Sequence, residues 1–154
     1  MTSTDNSPSL LTNQWFATLQ QQGYRMTAPL RSLVNILANS SRALGPGELV
    51  ELGRKSVPGM GLVTVYRALE KLEELGLVQR VHQIHNCHMY LRTPQGHQHL
   101  LLCMSCGKVE FFSGDNLNDL IGKISQQSGF LIQDHWLQLY GLCTDCQILQ
   151  NKPD

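Results

Sequence analysis

A chain of 154 residues accommodates one ordinary domain or two small lobes, and is too short for most multi-step enzymes. Its formal net charge of zero argues, as an average, against a polyanionic partner; yet residues 1–92 carry nine Lys/Arg against six Asp/Glu and residues 97–154 three against six, the pattern of a basic lobe joined to an acidic one. No stretch approaches the roughly 18 apolar residues of a membrane span, and Met1–Ser9 lacks the positive start and apolar core of a secretory signal, so a cytoplasmic protein with no membrane partner is expected.

Between Gln14 and Gln22 the residues Trp15, Phe16 and Leu19 fall at helical spacing, with Gly23 as the stop. Thr27 is placed to cap a second helix, and Pro29 falls in its first turn, where a missing N–H costs nothing; Leu30, Leu33, Val34 and Leu37 form its apolar stripe. Asn39–Gly47 reads as a turn segment and Glu48–Arg54 as a short third helix. After Gly59–Gly61, the residues Leu62, Val65, Leu69 and Leu72 recur with helical period up to Gly76. Thr64, Arg67 and Lys71 fall on the opposite face, which on charge alone is also what a solvated surface looks like. Leu77–Ile84 and Cys87–Leu91, separated by His85 and Asn86, read as a hairpin. Helices followed by a two-stranded wing outline a winged helix-turn-helix over residues 1–92.

Thr93–Gly96 contains a Pro and a Gly and reads as a hinge. The lobe at 97–154 begins with a strand ending at Cys103, a turn holding Cys106 and Gly107, and a strand over Lys108–Phe112. Asp115 would cap a helix carrying Leu117, Leu120, Ile121 and Ile124, closed by Gly129, and Phe130–Leu142 reads as a final strand. The expected class is therefore α+β, a winged helix followed by a small α+β lobe.

Four of the five cysteines lie in C-x-x-C pairs. Zinc favours soft ligands at tetrahedral corners, and one tight turn presents two thiolates to two corners. Cys103 and Cys106 supply one pair and Cys143 and Cys146 the other, each at a strand end; the alternative is two redox-active pairs. Four thiolates leave no open position, so this zinc would hold the fold without doing chemistry. No H-E-x-x-H, nucleophile elbow or Gly-rich phosphate loop is present, so no enzyme is expected.

Thr64-Val65-Tyr66-Arg67, followed by Leu69, Leu72, Gly76, Leu77 and Val78, resembles the T-V-Y-R-x-L-x-x-L-x-x-x-G-L-V recognition helix of the ferric uptake regulator superfamily. Gly23-Tyr24-Arg25-Met26-Thr27 with Arg31 resembles that family's G-x-R-x-T-x-x-R entry to the second helix, with one residue more between Thr27 and Arg31. With the two C-x-x-C pairs and His135, the resemblance runs from about Trp15 to Cys146. It implies a metal-dependent, homodimeric transcriptional repressor whose second lobe dimerises and whose operator is palindromic duplex DNA. At Arg67 it implies base readout in the major groove. Tyr66 would meet a thymine methyl or a sugar, Thr64 base or backbone, and Arg25, Arg31 and Lys71 would mostly anchor phosphates; Tyr66 also lies at the edge of the apolar stripe and would serve equally as core.

The resemblance further implies a second, exchangeable metal site at the hinge, so that at least one regulatory ion accompanies the structural one in each subunit. His82, His85, Cys87, His88, His97, His99, Glu110 and His135 are the candidates. His97-Gln98-His99 resembles the family's H-x-H strand motif, but three residues separate His99 from Cys103 where two are usual, and Glu110 comes one position early. These shifts cancel between His99 and Glu110, which points to a register change confined to the C-x-x-C arm. The other register moves the histidine pair to the family's neighbouring site with His135. Iron- and peroxide-sensing members usually take a His from the segment before the third helix, where Arg42-Ala43-Leu44-Gly45 has none. Zinc-sensing members tend to use a cysteine in or after the wing, where Cys87 stands, and a thiolate favours zinc over manganese or ferrous iron; a packed strand cysteine is the plainer role for Cys87. The expectation is the zinc uptake regulator branch, with Cys87, His97 and His99 as core sensory ligands and His82 or Glu110 as the fourth. An iron, manganese or peroxide sensor, or a C-x-x-C redox switch, is the alternative.

Overall fold

The computed structural model describes residues 8–82, 88–114 and 116–150. Cys87, His85 and Asp115 lie outside the described residues, as does the side chain of His82. The chain folds as two compact units, Met1–Thr93 and Pro94–Asp154, and is α+β with all four long N-terminal helices in the first.

The first unit runs α1 (Pro8–Gln21), α2 (Ala28–Asn39), α3 (Pro46–Arg54), α4 (Leu62–Glu74), β1 (Val78–His82) and β2 (His88–Arg92). Thr27 caps α2, its hydroxyl accepting from the Leu30 amide at 3.4 Å. On α4, Val65, Ala68, Leu69 and Leu72 are buried and join Leu33, Leu37, Leu49 and Trp15 in one core. Gly76 ends this helix at φ +67°, a left-handed geometry that glycine adopts without a Cβ clash, and it turns the Leu77 amide back onto the Leu72 carbonyl at 2.9 Å. β1 and β2 pair antiparallel, Val78 opposite Arg92 and His82 opposite His88. The 39–47 segment is more than a turn, because Leu44 exchanges two backbone hydrogen bonds of 2.9 Å with Tyr90 and so adds a bridge to the wing.

The second unit contains β3 (His99–Cys103), β4 (Val109–Phe112), α5 (Leu117–Ser128), β5 (Gln138–Gly141) and α6 (Thr144–Gln150). Its sheet has the order β4-β3-β5, with β4 antiparallel and β5 parallel to β3. The final strand is shorter than the expected Phe130–Leu142: only Gln138–Gly141 reaches the central strand, and Phe130 and Leu131 before it are exposed. Cys146 sits on α6, a helix that the sequence pattern does not announce. Leu100, Leu102, Cys103 and Cys146 are buried, whereas α5 buries no residue at all.

Candidate metal centres and nucleic-acid interface

The cysteine cluster is assembled by the ends of β3 and β5 and by α6. After Cys103 the chain reverses over Met104–Gly107, where the Gly107 amide donates to the Cys103 carbonyl at 3.0 Å and Gly107 adopts φ +75°. The Met104 amide bonds the Gly141 carbonyl at 2.8 Å, which pulls the first C-x-x-C turn onto the strand leading to the second. The four Sγ atoms of Cys103, Cys106, Cys143 and Cys146 lie within 4.8 Å of one another, and Cys106 and Cys143 are 3.7 Å apart. A tetrahedron with zinc–sulfur bonds of 2.3 Å has edges of about 3.8 Å, so the cluster has the size of a zinc-tetrathiolate.

Its chemistry fits as well. Burial resists ionisation of Cys103, but amide donors from Cys143, Cys106 and Ser105 prevail and bring its thiol down to about 6; the Cys143 amide lies 3.3 Å from its sulfur. A hydrogen bond from Ser105 works to lower Cys146, yet hydrogen bonds with Cys143, Cys106 and Cys103 together with burial push it up to about 12. Four sulfurs this close share protons unless a cation neutralises them.

A second cluster joins His97, His99 and His135, whose ring nitrogens also lie within 4.8 Å of one another. The Nε2 atoms of His97 and His135 are 3.0 Å apart, close to the edge of about 3.4 Å for a tetrahedral zinc–imidazole site. The rings of His99 and His135 are 5.1 Å apart. His99 is fully buried, and among the described residues neither of its ring nitrogens has a hydrogen-bond partner. Burial, then His135 and His97, hold it below the ordinary histidine range, keeping the neutral form that ligates metal. Gly114 makes room for this ring, since a Cβ there would stand 2.5 Å from His99 Nε2.

The company of His97 and His99 is thus decided by the strand. β3 pairs without a bulge, from His99 opposite Phe112 to Leu102 opposite Val109, and from Leu100 beside Gln138 to Cys103 beside Gly141. The extra residue before Cys103 is therefore carried as regular strand. Counted from Cys103 with a period of two, His99 at the start of β3 shares a face with Leu101 and Cys103; His97 lies in the bend before the strand with its ring 5.0 Å from that of His99, and His135 approaches them from the segment before β5. Glu110, offered by the sequence as a possible fourth ligand, stands opposite Leu101, pairs with Lys108 at 3.5 Å and is largely exposed. It belongs to neither cluster. His88 lies at the start of β2 in the first unit.

In the first unit, α4 turns Tyr66 and Arg67 to solvent and leaves Thr64 and Lys71 half-exposed. Arg25 and Arg31, before and within α2, are exposed as well. Thr27, Thr64, Arg67 and Lys71 line one groove between the start of α2 and α4. Aromatic contacts hold two of the cations in place: Lys71 Nζ lies 5.6 Å from the Tyr24 ring centre and the Arg31 guanidinium 5.5 Å from that of Phe16. Tyr66 is 46% exposed, which removes it from the core. An Arg80–Glu73 ion pair of 2.9 Å fastens the wing to α4.

A model of the ferric uptake regulator family matches residues 21–140, which spans the capping of α2, the recognition-like helix, the histidine cluster and the first C-x-x-C pair, and ends within β5, just before Cys143 and Cys146. This chain belongs to the ferric uptake regulator family. A ferric uptake regulation protein from Legionella pneumophila is 33% identical over 131 residues, covering 84% of this chain and 96% of that protein. The ferric uptake regulator of Vibrio cholerae has a similar structure, with TM-score 0.65 and 27% identity over 82% of this chain and 98% of that one. A zinc uptake regulator complexed with zinc and DNA shares the fold, with TM-score 0.67 and 23% identity over 94% and 97% of the two chains. Members of the family are metal-responsive, dimeric, DNA-binding transcription regulators and not enzymes. Among the described residues no helix is long and apolar enough to cross a membrane.

Proposed function

We propose that this member of the family is a cytoplasmic zinc-responsive repressor, which binds a palindromic operator as a homodimer when its sensory site is loaded. One zinc per subunit is structural, held by Cys103, Cys106, Cys143 and Cys146. At least one more is sensory, on a set that includes His97 and His99. The observation that carries the choice of metal is the convergence of His97, His99 and His135, because among the described residues no carboxylate joins them. An all-imidazole set suits zinc and iron and disfavours manganese, which is better served by carboxylates; the cysteine that the wing carries at position 87 tips the choice to zinc. Iron is the second reading, favoured by the name of the Legionella relative.

Two ligand sets complete the sensor in different ways. Cys87 would add a thiolate from the wing, so that occupancy ties the two lobes to one angle. His135 would close the set within the second unit, acting through the shape of that unit. In either case the ion regulates only if it binds the DNA-competent arrangement more tightly than the other, since equal affinity shifts nothing. On the DNA side Arg67 reads base edges, Tyr66 and Thr64 contact base, sugar or backbone, and Arg25, Arg31 and Lys71 hold phosphates. The exposed apolar surface of the second unit, with Leu120, Ile124, Phe130, Leu139 and Tyr140, is the part that a second copy would cover.

The decisive measurement is DNA affinity across buffered zinc, ferrous iron and manganese. Zinc should restore binding at the lowest free concentration; restoration by iron alone would overturn the zinc reading. Cys87→Ser and His135→Ala then separate the two sets, because the one that completes the sensor costs about one zinc per subunit and the metal response while leaving the structural zinc. Full zinc-responsive binding by both variants and by His97→Ala would place sensing elsewhere.

A further inference from the structure

The outward face of α4 carries an apolar residue that neither the fold nor the charge pattern explains. Val63 is 66% exposed, more than either Leu62 or Tyr66. At about 100° per residue, it lies almost directly opposite the centre of the stripe formed by Val65, Ala68, Leu69 and Leu72, which is buried. Glu74 takes the same direction at the far end of the helix, and among the apolar residues of α4 Val63 projects furthest from the core. Tyr66 and Arg67 follow it at i+3 and i+4, so the three side chains are neighbours on one surface. A β-branched residue lowers helix propensity, and an exposed one gains no burial within the unit to offset that.

We propose that Val63 reads the 5-methyl group of a thymine in the major groove, and is a specificity-determining contact beside Arg67. The chemistry is complementary: the thymine methyl is the one apolar group on the major-groove edge of a base pair, and side-chain methyls are its natural partner. Arg67 shares the face, with Glu70 one turn beyond it, and Arg25, Arg31 and Lys71 are available to neutralise flanking phosphates. A guanidinium one helical turn from two methyls presents a composite surface, which would select a thymine at a fixed offset from the base pair that Arg67 contacts. Val63 gives the contact shape without charge, so it adds preference for sequence and nothing to salt dependence.

The test uses the full-length dimer and a duplex selected from a random pool, with whichever of zinc, iron or manganese supports binding, so the result for Val63 is independent of the metal assignment. Each symmetric pair of thymines is replaced in turn by uracil, which deletes the methyl alone. One pair should cost the wild type about fourfold per half-site, or roughly fifteenfold for both, the effect of burying one methyl-sized group. Val63→Ala should lose affinity by a comparable factor on the thymine duplex, show no further loss on the uracil duplex, and keep the salt slope. Unchanged affinity of Val63→Ala, or an undiminished uracil effect in that variant, would overturn the assignment, as would the absence of any methyl-sensitive pair.

Discussion

The histidine cluster depends on a glycine, and adding one carbon to it is the sharpest perturbation the structure offers. In Gly114→Ala the new Cβ would stand 2.4 Å from His99 Cδ2, 2.5 Å from His99 Nε2 and 2.6 Å from Leu117 Cδ1. Ordinary contact begins near 3.4 Å, so the His99 ring must retreat by about 1 Å. Leu117 must yield too, at an overpacking cost of about 1–3 kcal/mol. A metal–nitrogen bond tolerates a departure of about 0.2 Å, five times less than the displacement. Affinity at the His97–His99–His135 site should therefore fall by at least about 10–100-fold, or about 1.4–2.8 kcal/mol. The nearest neighbours of the new carbon belong to His99 and Leu117, and the cysteine cluster, at the opposite end of β3, should keep its zinc. Competition with a chelator of known affinity, read together with zinc stoichiometry, measures both sites in one protein. Wild-type affinity at the second site in a folded Gly114→Ala protein would show that His99 is not a ligand.

Cys103→Ser or Cys143→Ser removes a corner of the sulfur cluster and should give aggregated or monomeric protein, since metal binding contributes to the folding of so small a lobe; a zinc-free dimer of native thermal stability would refute this. Arg67→Ala should erode the preference for operator over random duplex, whereas Lys71→Ala should weaken both about equally and flatten the salt dependence, measured by titration across salt concentrations. Burial holds the Tyr90 hydroxyl above its ordinary value of 10.0, with Arg80 opposing and Glu73 reinforcing the shift. The folded state therefore favours the protonated form, so this contribution is intact below about pH 10 and is lost as pH rises through the folded value. Urea midpoints between pH 9 and 12 should decline in the wild type and decline less in Tyr90→Phe; parallel curves would show that Tyr90 does not carry the alkaline instability.

Local rules were enough for much of this chain. The stripe Val65–Leu69–Leu72, the cap at Thr27 and the stop at Gly76 are signals contained within one or two helical turns, and each became the element it announces. The C-x-x-C pairs were equally legible, since two ligands on one tight turn need no knowledge of the rest of the fold. Other features depend on partners far away in sequence. The Leu44–Tyr90 bridge joins residues with no common local pattern, and α6 is too short for a period to show. Whether Phe130–Leu142 forms strand along its whole length was settled by how far β3 extends to pair with it. The company of His97 and His99 is the clearest case: their spacing from Cys103 permitted two registers, and only the unbroken pairing of β3 with β4 and β5, with the bend before it that carries His97 and the segment that carries His135, brings the three rings into one cluster. Sequence by itself determined which residues can ligate or cap, because that is chemistry and short-range geometry; the tertiary structure decided which of them meet, because side chains 38 residues apart, such as His97 and His135, are brought together by strand register and by nothing encoded nearby.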